Sequence, residues 1–152
     1  MAAMELQTLR ILGILGQGGS GKTSLAEAML FAGGATQRLG RVQDGTSVFD
    51  HEPEEIKHQV SISTALHSLS WKKHSLTLVD TPGYAAFIAD SINCARAFGG
   101  AIFVLNPSVG LRVESERLWA TANTDEICRL LFVNKMDHEQ AEAVERIDPL
   151  LS

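Results

Sequence analysis

The run Gly16-Gln17-Gly18-Gly19-Ser20-Gly21-Lys22-Thr23 constrains this chain more than any other, because GQGGSGKT fits the phosphate-binding pattern G-x-x-x-x-G-K-[ST]. Its surroundings are what such a loop requires. Leu9 to Leu15 (LRILGIL) reads as a buried strand and Leu25 to Phe31 (LAEAMLF) as a helix packed on it, so strand, loop and helix follow one another in the necessary order. Glycines let backbone N–H groups turn inward around an anion without interference from Cβ, and the start of the helix adds a partial positive charge. Lys22 then supplies a point charge for the outer phosphate oxygens. The Thr23 hydroxyl, followed by Ser24, offers a hard oxygen ligand of the kind Mg²⁺ accepts alongside water and phosphate.

At 152 residues the chain has the length of one domain with a substantial core, and the expectation is a single unit over residues 1–152. A formal net charge of −5 argues against a broad basic face for nucleic acid, and the sequence carries no direct nucleic-acid motif. Cys94 and Cys128 lack metal-ligand spacing and read as small core residues. The N-terminus has no signal-like apolar stretch, and the apolar runs are too short to span a bilayer, so a cytoplasmic location without a membrane partner is expected.

Further along, the polar stretch Gly33 to Gln59 shows no sustained period and reads as a long loop, a feature that compact domains usually keep for function. Val60 to Trp71 and Ser75 to Val79 alternate apolar and polar positions around a turn at Lys72 to His74, which predicts a hairpin. Helical spacing covers Ala85 to Phe98 and about Val113 to Ala122, while Gly100 to Leu105 and Arg129 to Val133 read as buried strands. Alternating strands and helices predict an α/β fold of the P-loop NTPase type, with a mostly parallel sheet flanked by helices and one antiparallel hairpin.

Two more motifs fall at the carboxyl ends of predicted strands, where open α/β sheets place their ligands. Asp80-Thr81-Pro82-Gly83 follows Ser75 to Val79, and Asn134-Lys135-Met136-Asp137 follows Arg129 to Val133. Asp80 is an acid suited to hold Mg²⁺ through water, and Gly83 has a backbone N–H that a γ-phosphate could order. The Asp137 carboxylate can accept from two N–H groups on one edge of guanine, whereas adenine presents an acceptor there. Asn134 and Lys135 would brace that loop. An adenine-nucleotide kinase is therefore disfavoured.

Together, GQGGSGKTS, DGTSVFDHEPEEIKHQVSIS, LVDTPGY and FVNKMD resemble the GTP-binding domain of translational GTPases, nearest to elongation factor G and its paralogues, from about Leu9 to Asp137. The resemblance implies GTP and GDP as ligands with Mg²⁺, hydrolysis of GTP, the ribosome as partner of the whole factor, and a first switch loop over Arg38 to Ser61. It also implies a second switch from Asp80 onward, catalytic groups at Lys22, Gly83 and Tyr84, and a magnesium set of Thr23, Ser61 and Asp80.

Three positions depart from the family's usual pattern. Tyr84 stands where a histidine usually follows DTPG, and a phenol titrating near pH 10 cannot become a cationic donor as imidazole can. Gly19 stands where the phosphate loop usually carries an acid. His58-Gln59-Val60-Ser61 replaces Arg-Gly-Ile-Thr, keeping the Ser61 hydroxyl and losing the Arg-Gly entry. These changes spare binding more than hydrolysis, so a nucleotide-binding switch or ribosome-binding module with negligible turnover remains the alternative. The family's domain also continues through a further helix and strand, and the resemblance implies that this one is truncated, with its last strand missing.

Overall fold

The computed structural model describes residues 8–138. Among these residues five strands form one sheet in the order β2-β3-β1-β4-β5. The apolar run Leu9–Leu15 is β1 and lies at the centre, with β3 (His74–Asp80) on one side and β4 (Gly100–Leu105) on the other, both parallel to it. Beyond β4, β5 (Arg129–Val133) is again parallel, whereas β2 (Ala65–Trp71) runs antiparallel to β3. The hairpin turn is made by Lys72 and Lys73, both at positive φ (45° and 68°). That handedness matches the twist of the flanking strands and normally favours Asn or Gly.

Alternation along the central strands divides the core into two faces. Ile14, Leu78, Ile102 and Val104 point to one side and pack with Ala26 and Leu30 of α1 (Lys22–Ala32). Leu15, Val79 and Phe103 point to the other, against Ile88 and Ala95 of α3 (Ile88–Ala95) and Leu118 and Ala122 of α4 (Val113–Thr124). The result is the predicted α/β arrangement of helices on both faces of a mixed sheet.

Several boundaries differ from the sequence expectation. The stretch 33–59 contains a short helix, α2 (Pro53–His58), because Pro53 fits the first helical position and the Glu55 carboxylate returns to the Glu52 N–H at 3.0 Å. Residues 60–64 lie outside β2, since their backbone groups turn to side chains of neighbouring helices instead of a strand. The helix expected over 85–98 contracts to α3. The fifth strand, expected to be buried, is an edge strand of the sheet as described, with Leu130 60% exposed. Cys128 beside it is exposed as well, and Cys94 is half-buried, so only Cys94 approaches the core role assigned to both. The segment where the resemblance implies a truncated end, from 139 onward, lies outside the described residues. Among the described residues no helix is long and apolar enough to cross a membrane.

Candidate nucleotide site

Parallel pairing of β1 with both β3 and β4 brings three loops to one edge of the sheet. The phosphate-binding loop leaves β1 at Leu15. Gly16 (φ 142°), Gly19 (φ 73°) and Gly21 (φ 97°) take backbone conformations that suit glycine, and Gly21 is the N-cap of α1. A Cβ on Gly16 would lie 2.4 Å from the Val104 carbonyl, so the loop passes hard against β4.

Gln17 is almost wholly buried and fastens this loop to the chain that follows β4. Its Nε2 donates to Gly110 O at 3.0 Å, and its Oε1 accepts from Arg112 N at 3.1 Å and Ser115 Oγ at 3.2 Å. From the other side, Asn134 Nδ2 donates to Ser20 O at 2.9 Å, which links the loop after β5 to the same turn. Gly18 N donates to Gly83 O at 2.8 Å, which joins the loop after β3. The phosphate-loop pattern in the sequence thus becomes the hub of three strand ends.

Lys22 and Asp80 are both buried beneath it. Burial strips hydration from the Lys22 ammonium and lowers its pKa to about 8, with the Asp80 charge working in the opposite direction. For Asp80, burial raises the pKa to about 6 against the opposing effects of Lys22 and the Thr23 hydroxyl. Lys22 Nζ donates to Gln17 O at 3.0 Å. A Cβ on Gly83 would lie 2.6 Å from Gly16 O and 2.7 Å from Gln17 C, so the backbone of the phosphate loop leaves no room for a side chain after Pro82.

Thr23, Ser61 and Asp80, far apart in sequence, converge. Thr23 Oγ1 donates to Asp80 Oδ2 at 2.6 Å and lies 3.2 Å from Ser61 Oγ. With the Thr23 hydrogen engaged by Asp80, Ser61 is the donor of the second bond. The remaining Asp80 oxygen, Oδ1, is buried without a hydrogen-bond partner. Two hydroxyls and an unsatisfied carboxylate oxygen form a hard, all-oxygen donor set, and such a set fits Mg²⁺.

A cleft of roughly 200 Å³ opens over these groups. It is lined by Gly18, Gly19 and Gly21 to Ser24 of the phosphate loop, together with Val42, Gln43, Gln59 to Ser61, Gly83, Tyr84 and Lys135. Thr81 and Pro82 are committed to the fold, Thr81 Oγ1 donating to Ile14 O at 2.7 Å and Pro82 O accepting from Ser91 Oγ at 2.6 Å. Met136 and Asp137 stand exposed on the turn after β5, next to Lys135, whose φ is 57°.

Sequence reasoning did not single out Val42, Gln43 or Glu55. The first two lie in an aperiodic loop with no pattern to read. Glu55 did leave a signal, the Glu52-Pro53-Glu54-Glu55 helix start.

A sequence profile described as the Elongation factor Tu GTP binding domain matches residues 7–151. The chain belongs to this family. It is 37% identical over 142 residues to elongation factor G 2 of Streptomyces coelicolor, an alignment covering 93% of this chain and 21% of that protein. Against the mitochondrial ribosome-releasing factor 2 of Candida albicans it is 33% identical over 132 residues, covering 87% of this chain and 16% of that one. A crystal structure of a Thermus thermophilus protein superposes with a TM-score of 0.86 at 32% identity, across 95% of this chain and 22% of its own. The chain therefore spans about a fifth of the length of these relatives. It is a GTP-binding domain of the elongation factor type, on a P-loop fold.

Proposed function

We propose that this domain binds GTP and GDP with Mg²⁺ and hydrolyses GTP slowly, as the nucleotide-binding part of a factor that works on the ribosome. The observation that carries the reading is the convergence of Thr23, Ser61 and Asp80 beside a buried, cationic Lys22 under one cleft. Phosphates would lie on the N–H groups from Gly18 to Thr23, with Lys22 countering their charge. Thr23 and Ser61 would hold Mg²⁺ directly and Asp80 through water; when bound, the ion neutralises charge on the outer phosphate oxygens. Asn134, Lys135 and Asp137 would receive the guanine base.

In hydrolysis a water oxygen bonds to the γ-phosphorus while the bond to the bridging oxygen breaks. GDP leaves with that electron pair, and the water proton passes to the released phosphate. Lys22 and the Gly83 N–H would stabilise the oxygens as charge shifts, and Tyr84, at the mouth of the cleft, would orient the water. The names of the relatives, elongation factor G and ribosome-releasing factor, support the ribosome as partner.

Because a tyrosine replaces the usual histidine, the second reading is a binding switch with negligible turnover. Fluorescent guanine nucleotide titrated into the wild type and Lys22→Ala tests the site: the variant should lose binding and keep its fold. Equal binding by both would sink the assignment. Phosphate release with ribosomes present separates the enzyme from the switch.

A further inference from the structure

The loop between α1 and β2 is tied down by two buried carboxylates that the proposed function leaves without a task. Glu27 of α1 accepts from Ser47 Oγ at 2.9 Å and from the Val48 N–H, which holds the middle of the loop. Glu55 of α2 is 2% exposed and binds more of the chain. Its Oε2 accepts from His51 N at 2.9 Å and Glu52 N at 3.0 Å, and its Oε1 accepts from Ile62 N at 2.8 Å and Ser63 N at 3.0 Å. Four backbone donors fill the acceptor sites of one carboxylate. Burial alone would raise the Glu55 pKa, but these four N–H groups outweigh it and hold the group below the usual carboxylate range.

The second pair of donors immediately follows Ser61. Residues 59–64 belong to no helix or strand; the Val60 N–H returns to Glu55 O at 3.2 Å, and those of Ile62, Ser63 and Thr64 go to carboxylate side chains. Gln59 takes φ 54°, turning the chain out of α2 and back toward Glu55. Beyond Ser63, Thr64 is held by Asp90 of α3, through its N–H at 2.9 Å and its hydroxyl at 2.6 Å, but that contact is exposed to water. The buried carboxylate that binds the backbone immediately after Ser61 is Glu55.

We infer that Glu55 is a positioning residue that sets the Ser61 hydroxyl against Thr23, and so completes the magnesium set. This rests on the nucleotide reading above and deepens it. Glu55 touches neither Thr23 nor Asp80 and acts through the backbone of Ile62 and Ser63. An amide in its place keeps the shape but turns an N–H₂ toward two of the four donors, so one pair of bonds is lost.

The test uses Glu55→Gln, Ser61→Ala and the double variant, with a fluorescent non-hydrolysable GTP analogue titrated with Mg²⁺ and fluorescent GDP titrated in EDTA. In Glu55→Gln the Mg²⁺ concentration for half-maximal analogue binding should rise about tenfold, the loss expected when one charge-assisted contact goes. GDP binding in EDTA should stay within about twofold, and Glu55→Gln should add nothing to the Mg²⁺ requirement of Ser61→Ala. Equal loss of GDP and analogue, or a further rise in the double variant, would overturn the role of Glu55.

Amide hydrogen exchange on the unmodified protein gives a reading that needs no variant: Ile62 and Ser63 should be protected like α2, and exchange at free-peptide rates overturns the inference. Failure of the unmodified chain to bind any guanine nucleotide would overturn the proposed function and the inference together. Normal binding with an unchanged Mg²⁺ dependence in Glu55→Gln would overturn the inference alone.

Discussion

The Tyr84 ring lies across the backbone of Gly18, so close that a Cβ on Gly18 would stand 2.7 Å from the ring atoms Cε2 and Cζ. Tyr84, in the loop after β3, is thus braced by the phosphate loop itself, while Gly18 N and Gly83 O hold the two backbones together at 2.8 Å. Only a glycine at 18 permits both contacts.

Gly18→Ala should therefore displace the ring and leave the fold standing. Tyr84 is 41% exposed, so its far end can swing into water at little cost. Without an activating arginine, turnover in this class runs at roughly 10⁻³ to 10⁻⁴ per second, and the unmodified domain should fall at or below that range. Gly18→Ala and Tyr84→Ala should lower it by similar factors, and combining them should lower it no further. Single-turnover phosphate release on the three variants is the measurement. Full additivity would mean that the two residues act independently.

The opposed shifts of Lys22 and Asp80 predict a bell-shaped pH dependence for capture of Mg²⁺-nucleotide by the free domain. As pH falls through about 6, Asp80 takes up a proton and loses its charge for the ion; as pH rises past about 8, Lys22 gives up the charge that meets phosphate. Affinity should peak between the two and fall toward about tenfold per pH unit on either side. Asp80→Asn should remove the protein's share of the acid limb, leaving only that of the nucleotide phosphates. An acid limb unchanged in Asp80→Asn would assign it to another group.

Gln17→Ala tests the tie between the phosphate loop and α4. The truncation removes the partner of the buried Ser115 hydroxyl and of the partly buried Arg112 N–H and Gly110 carbonyl. A loss of about 1–3 kcal/mol in folding stability is expected from such orphaned groups. Urea denaturation should show it as a lower midpoint with an unchanged slope. Nucleotide affinity should fall as well, because the loosened loop carries the Gln17 backbone carbonyl that positions Lys22. An unshifted midpoint would show that water replaces the amide.

How far the sequence disclosed all this depends on the range of each interaction. The five strands were visible because each is a run of apolar or alternating residues, and β4 was read to both its ends because Gly100 to Leu105 is apolar throughout. The phosphate loop was legible because glycine, lysine and threonine have fixed offsets there. The path of the chain between Gly33 and Thr64 was not, because it depends on Glu27 and Glu55 reaching backbone groups up to 21 residues away. No period or composition encodes such a contact. The exposure of β5 escaped for a related reason, since Leu130 and Phe132 look like core residues until the strand order puts them at an edge.

The final prediction concerns the base. Lys135 lines the cleft and Asn134 is tied to Ser20 O at 2.9 Å, so the loop after β5 is registered to the phosphate loop, and Asp137 two residues on is exposed to solvent. Its carboxylate can accept from both N–H groups on the guanine edge, where adenine offers a nitrogen acceptor and would be repelled. Asp137→Asn replaces one acceptor by a donor, which leaves a guanine N–H unpaired but suits the extra carbonyl of xanthine. Loss of such a contact costs a few kcal/mol, so GTP affinity should drop on the order of a hundredfold while xanthosine triphosphate gains. Asn134→Ala acts differently. It releases the loop from Ser20 but leaves the Asp137 carboxylate in place, so GTP affinity should fall with no gain for xanthosine triphosphate. Competition of GTP, ATP and xanthosine triphosphate against a fluorescent guanine nucleotide measures all three proteins. If the unmodified domain bound ATP as tightly as GTP, Asp137 would have no part in selecting the base.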